Sequence, residues 1–342
     1  MQRLRHVAGR LIISLGMIAF FATGVHSGHF DSELKDRLAR VSAHIYNDRF
    51  GEAQLLLDSL DRDGGWAPIR RLFSAILYQS YMMAAESDIL KDQFFAVLDS
   101  LERDAQDMLA GGGDSAVAYW LLGHEHAFRS LFYGRAGHFW RALKHGLSAR
   151  NAYNRGYRID STFHDLAFGL GSYHYWKSVK TKAVNWTPLF NDERRQGIDL
   201  LRLAADSAEI SSEAATAGLV WVYINENMLV EAIRLASDLR DKYPDGLTFL
   251  WALGEAYRKM DDDKAAIDVY ETILTRLEKQ PGNYYNVIEA SYFLANGYRA
   301  LGENEPDGNP KLTRLQDKIR SLAIPEETRN RQKKKIRQIL SR

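Results

Sequence analysis

Three pairs of residues in this chain repeat at one spacing. Leu219 and Leu253, Tyr223 and Tyr257, and Ala232 and Ala266 are each 34 positions apart. A shared period of that length leaves the fold little freedom. It marks a supersecondary unit that cannot bury its apolar face alone and must stack on copies of itself. Within each copy the apolar residues follow a helical period in two runs. Leu219 and Tyr223 fall on the first run and Ala232 on the second; the next copy has Leu253-Gly254 and Tyr257, then Ala266 and Tyr270. Glu213 to Gln280 therefore reads as two tandem helix–turn–helix units, 213–246 and 247–280.

Less regular copies flank this pair. Phe50 and Ala53 hold the phase of Leu229 and Ala232, which makes 34–67 a further unit, with helices from Leu34 to Tyr46 and from Phe50 onward. Residues 66–109 give two longer helices, Trp66–Glu86 and Ile89–Leu109. Leu122-Gly123 and Gly137-x-Phe139-x-x-Ala142 mark 114–152. Those landmarks lie 14 positions apart (123 to 137), seven more than in a regular unit, which adds about two helical turns. In 160–209, Leu170-Gly171 marks a first helix and Asp192–Glu209 its partner. Between them sits an insertion, Ser178–Phe190, that follows the aromatic cluster Tyr173, Tyr175 and Trp176. Leu294-Ala295-x-x-Tyr298 opens a last unit, 288–302, displaced by seven residues from strict phase. Two helices, about 311–322 and 326–341, close the chain. Prolines fall between these segments and no run alternates as a strand would, so the expected class is all-α.

The N-terminus has a different character. Arg3, Arg5 and Arg10 precede an apolar run, Leu11–Phe21, and small residues follow. This is the layout of a secretory signal peptide over 1–27, and the run is shorter than the roughly 20 residues a membrane span needs. Export to the periplasm or beyond is expected, with inner-membrane anchoring if the segment is not cleaved. The mature chain is expected to carry no transmembrane segment. The formal net charge of +1 argues against a bulk electrostatic footprint for nucleic acid. With no cysteine, disulfides, thiolate metal sites and a cysteine nucleophile are excluded.

Tests for chemistry find no complete motif. His124 and His126 are two apart, which on one helix sets them about 200° apart, so they cannot share an ion. His138 and His145 share a face but are about 10 Å apart along the axis. Gly111-Gly112-Gly113 runs into acidic Asp114 and reads as a turn with an N-cap, not a phosphate loop. The glycines of Phe168-Gly169-Leu170-Gly171 lie in a helical run and serve close helix approach. Asp261-Asp262-Asp263 reads as a turn and cap. No catalytic residue, metal site or cofactor is expected. The alternative is an envelope enzyme or metal-binding protein that draws on the His-rich middle, 124–174, with histidines from different helices.

The period of 34, the Leu-(Gly/small)-x-x-Tyr landmark and the second-helix Ala resemble the tetratricopeptide repeat, most clearly over 213–280. Together with the N-terminus, the chain resembles secreted bacterial proteins of that superfamily. The resemblance implies a right-handed α-solenoid of antiparallel helix pairs over 30–342, irregular in the centre and capped at the C-terminus. It also implies a non-catalytic scaffold of the cell envelope that holds a protein or peptide partner in a concave groove. The groove-facing phases of the first helices fall on Trp221 and Asn225, then Trp251, Glu255 and Arg258, then Tyr292, Asn296 and Arg299. The superfamily's carboxylate clamp uses Lys and Asn where this chain has Ala217 and Trp221, so that ligand is not expected. Two readings stand for Tyr173, Trp176, Lys180, Lys182 and Trp186: they fill a gap left by the irregular unit, or they form a second binding surface. Two also stand for the basic last helix, with Arg329, Arg331, Lys333, Lys334, Lys335 and Arg337: a solvated cap, or contact with an anionic membrane or acidic partner.

Overall fold

A computed structural model describes residues 29–60, 66–181, 191–280, 282–302 and 309–341. Among these the chain is entirely helical, with sixteen helices and no strand. The first six are α1 (Ser32–Tyr46), α2 (Phe50–Leu60), α3 (Ala67–Ala84), α4 (Lys91–Ala110), α5 (Ser115–Arg135) and α6 (Phe139–Ile159). Then come α7 (Asp165–Lys180), α8 (Arg194–Ser207), α9 (Ser212–Asn225), α10 (Leu229–Lys242), α11 (Thr248–Lys259) and α12 (Asp263–Leu277). The chain ends with α13 (Tyr284–Gly302), α14 (Pro310–Ser321), α15 (Glu326–Arg331) and α16 (Lys333–Leu340). Residues 1–27, with the expected signal peptide, and Lys182 and Trp186 of the insertion lie outside the described residues.

Local chemistry sets the helix ends. The carboxylates of Asp31, Asp114 and Asp262 accept the first free backbone N–H groups of α1, α5 and α12, and Asn309 does the same ahead of Pro310 on α14. Within the pairs, one residue with positive φ reverses the chain: Asp48, Glu86, Gly137, Asn227 and Asp261. Asp and Asn tolerate that conformation better than most side chains, and the turn positions 227 and 261 repeat the 34-residue period.

Consecutive helices fold back on one another, and each helix from α1 to α13 packs on the next. From α1 to α11, each odd-numbered helix also touches the next odd-numbered one. The odd helices thus form one layer and the even helices the other, a solenoid-like architecture. The core runs the length of the array, from Leu34, Leu57 and Trp120 through Tyr175, Leu219 and Ala252 to Ile288, Leu294 and Ile339. Each leucine or isoleucine among them contributes about 2 kcal/mol by leaving water.

Helix approach is closest around α5, α6 and α7. The Tyr153 ring is buried between Gly123 of α5 and Gly169 of α7, and a methyl group at either glycine would overlap it. The glycines of 168–171 thus permit close packing, in line with the sequence reading. The expected single helix over 326–341 is instead two. Gln332 turns inward between α15 and α16, is 4% exposed, and donates from Nε2 to Glu289 Oε1 at 2.7 Å.

The array also curls back on itself. The α1–α2 turn meets the α10–α11 link: Asp245 N–H donates to Asn47 Oδ1 (3.0 Å), Leu247 N–H donates to Asp48 Oδ2 (2.9 Å), and Arg49 pairs with Asp245. Tyr46 packs on Tyr243 and Phe249. Further along, Asn283 and Asn286 donate to the carbonyl of Ala84 at the end of α3. At the other side, Glu209 accepts from the His29 backbone N–H and from Lys35, which fastens the start of α1 to the α8–α9 link.

Candidate functional site

The first helices of four successive pairs converge on one cavity of about 350 Å³. α7 contributes Trp176; α9 contributes Trp221, Ile224 and Asn225; α11 contributes Trp251, Glu255 and Lys259. Phe293 of α13 and Tyr270 of α12 complete the lining. The tryptophans come together because α7, α9 and α11 are neighbours in one layer, so similar helical phases face one way.

Packing fixes the walls. Tyr270 stacks on Phe293 with centroids 4.8 Å apart, and Trp251 meets Tyr270 edge-on at 5.9 Å. Trp176 and Trp221 are freer, 37% and 38% exposed. Trp251 is therefore partly held by the wall, while the other two present their rings to the opening.

Polar groups sit at two edges. At one, Asn225 Nδ2 donates to Tyr175 Oη (2.7 Å), and the Tyr175 hydroxyl donates to Glu226 Oε1 (2.9 Å). Arg194 donates to both oxygens of Glu226 at 3.0 and 3.1 Å, which ties α7, α8 and α9 together. Burial raises the Tyr175 hydroxyl pKa, so it stays protonated as a donor. At the other edge Arg258 makes a fork to Glu255, Nε to Oε2 at 2.9 Å and Nη2 to Oε1 at 2.7 Å, and lies 5.8 Å over the Phe293 ring. Lys259 donates to the Ile224 carbonyl at 2.9 Å, near the end of α9. The apolar floor thus has one neutralised acid and one cation at its rim.

The structure brings Trp221, Asn225, Trp251 and Glu255 together with Trp176, for which the sequence left two readings, gap filling or a second binding surface. Arg258 stands beside the cavity through Glu255. Tyr292, Asn296 and Arg299 do not line it. Arg299 Nη2 instead donates to the carbonyls of Gln338, Ile339 and Ser341 at 2.7–3.0 Å, with Asn296 beside it, and Lys335 covers the Tyr292 ring at 5.6 Å. The last helix of the chain occupies that part of the layer. Tyr173 is half-buried under Arg150, and Lys180 is exposed at the end of α7. Phe293, Tyr270, Ile224 and Lys259 were missed by sequence reasoning. Lys259 had a signal, because it lies 34 positions after Asn225. Phe293 is one residue beyond the expected Tyr292, about 100° around a helix that begins at Tyr284 and not at Ile288.

The histidines are spread through packing. His124 is buried against Trp120 and Tyr153 with Nδ1 at 3.0 Å from the Trp120 carbonyl, and burial lowers its pKa to about 4. His126 lies beside the buried carboxylate of Glu125, whose other oxygen pairs with Arg129. His174 Nδ1 meets Glu193 Oε2 at 2.6 Å. Among the described residues, no three His, Asp or Glu side chains converge as metal ligands. No described helix is long and apolar enough to cross a membrane.

No protein-family model matches the sequence, and no curated protein matches it either.

Proposed function

We propose that the chain is a tetratricopeptide-type interaction scaffold that holds a segment of a protein partner on its inner layer. The observation that carries this reading is the meeting of Trp176, Trp221 and Trp251, from three successive first helices, in one apolar cavity. The 34-residue period and the paired helices support the repeat type and, with it, a right-handed superhelix. An apolar floor with a polar rim suits an aromatic or branched aliphatic anchor flanked by backbone that can bond to Asn225 or Lys259. Aromatic residues dominate such hot spots, and truncating one costs about 2 kcal/mol or more of binding. Residues 1–27 would direct the scaffold to the bacterial envelope, which the N-terminal residue of the native protein tests.

Peptides selected from a displayed library on the full chain give the probe. Trp221→Ala and Trp176→Ala should each weaken their binding about 30-fold. Both variants should still fold cooperatively, with a loss of thermal stability of no more than about 2 kcal/mol, because more than a third of each ring is exposed. Selected peptides that bind both variants as tightly as the parent would refute the cavity as the binding site.

A further inference from the structure

From His126 to Ile159 the chain has no Asp or Glu, although its average acid content would place about four in a stretch of that length. The same stretch holds seven cations: Arg129, Arg135, Arg141, Lys144, Arg150, Arg155 and Arg158. It covers the second half of α5 and all of α6, helices of 21 residues each, about 10 Å longer than a 14-residue helix such as α9. Arg129 pairs with Glu125 of its own helix and with Asp99 of α4, and Arg135 pairs with Asp88 in the α3–α4 link. Among the described residues no carboxylate pairs with Arg141, Lys144, Arg155 or Arg158.

Three of these four cations share a face with exposed apolar side chains, while Arg141 and Arg155 also lie over the Tyr133 and Tyr119 rings. Trp140, Lys144, Leu147, Arg155 and Arg158 fall within about 80° of one another on α6, and all are exposed. Trp140 is 78% exposed and its neighbour Phe139 63%, their rings 5.3 Å apart at the start of the helix. This surface belongs to α6, an even-numbered helix, and none of its residues lines the aromatic cavity.

We propose that the outer face of α6, led by Trp140 with Phe139 flanking it at the start of the helix, docks on an anionic lipid bilayer surface. Such a surface offers both things this face lacks: negative headgroups for the unpaired cations, and hydrocarbon beneath them for the aromatic rings. A nucleic-acid backbone supplies the charge but no apolar layer to cover a tryptophan that water now surrounds. Trp at the interfacial level with Lys and Arg beside it is the arrangement that membrane–water boundaries favour. The inference is independent of the peptide-binding reading, since the two surfaces share no residue.

Flotation of the full chain with vesicles of phosphatidylcholine, with and without phosphatidylglycerol, tests it. All variants keep residues 1–27, so any contribution from that apolar run is common to them. Binding should be stronger with phosphatidylglycerol than without it, and that excess should weaken as salt is raised. Lys144→Gln with Arg158→Gln should lower partition about 25-fold, at about fivefold per cation. Trp140→Ser should lower it about tenfold, and both variants should melt with the parent. Equal partition into both vesicle types overturns the proposal, as does no partition at all. So does loss of binding only in a Lys333→Gln, Lys334→Gln variant, which would move the contact to α16. Duplex DNA bound as tightly as the anionic vesicles, with Trp140→Ser neutral, overturns it in favour of a nucleic-acid surface.

Discussion

Tyr153 shows how much one side chain can demand of its neighbours. Its ring fills the space between two helices only because Gly123 and Gly169 leave that space empty on both sides. Gly169→Ala should therefore cost about 3 kcal/mol by overpacking, measured by denaturant unfolding, because a ring clamped on one side cannot shift away on the other. Gly218→Ala is the control. Its nearest neighbour is a Phe168 carbon at 3.9 Å, so the gain in helix propensity should leave stability unchanged or raised by up to about 1 kcal/mol. The Leu-Gly landmarks 122–123 and 170–171 are legible in the sequence because small residues recur where helices cross. Asp165 is not legible. Its buried carboxylate accepts the backbone N–H groups of Glu209, Ile210 and Ser211 at 2.7–3.0 Å, just ahead of α9. Partners 44–46 positions away leave no periodic trace, and an acid in a first helical turn looks ordinary.

Elements follow their own periodicity until something docks on them. Most helix pairs from α1 to α12 can be read from the sequence to within a few residues, because apolar spacing, turn residues and acidic caps agree, although α6 runs to Ile159, seven residues past the unit read as 114–152. The reading weakens at α13, where the cavity-lining phase moves by one residue and Phe293 replaces Tyr292. It weakens again at the end of the chain. The last carbonyls of α16 need donors, and Arg299 from α13 supplies them, so an arginine at a groove-facing phase becomes the cap of another helix. Charge-assisted bonds of this kind contribute about 1.5–3 kcal/mol. Arg299→Ala should accordingly raise amide hydrogen exchange across 333–341 while α9 and α11 keep their protection, and it should leave peptide capture at the tryptophans unchanged. Unaltered exchange in 333–341 would show that α16 is held by Ile336, Ile339 and Leu340 alone.

The whole molecule is a chain of nearest-neighbour contacts with a seam added. Asp48 lies in that seam. Burial lifts its carboxyl pKa from 3.8 to about 6 against the opposing pull of the Leu247 N–H and Arg276. The native state thus holds this proton more tightly than the unfolded chain does. Its contribution to stability is complete below pH 4, is lost as pH rises from about 4 to about 6, and is constant above that. Asp48→Asn keeps an acceptor for Leu247 and tolerates the positive φ, but carries no charge. The variant should match the parent near pH 4 and exceed it by up to about 2 kcal/mol at pH 8, as read by thermal melts at both pH values. An equal difference at both would remove the charge from the account. The seam also has a consequence in time. Arg49 and Asp245 are 196 positions apart, and a ribosome adding roughly 5–20 residues per second needs about 10–40 s to cover that distance. For that interval the first helix pair exists without its lateral partner, with Tyr46 unmatched and the Asp48 and Arg49 side chains lacking Leu247 and Asp245. The pair is a waiting edge, open to whatever handles newly made chains, until the α10–α11 link arrives to cover it.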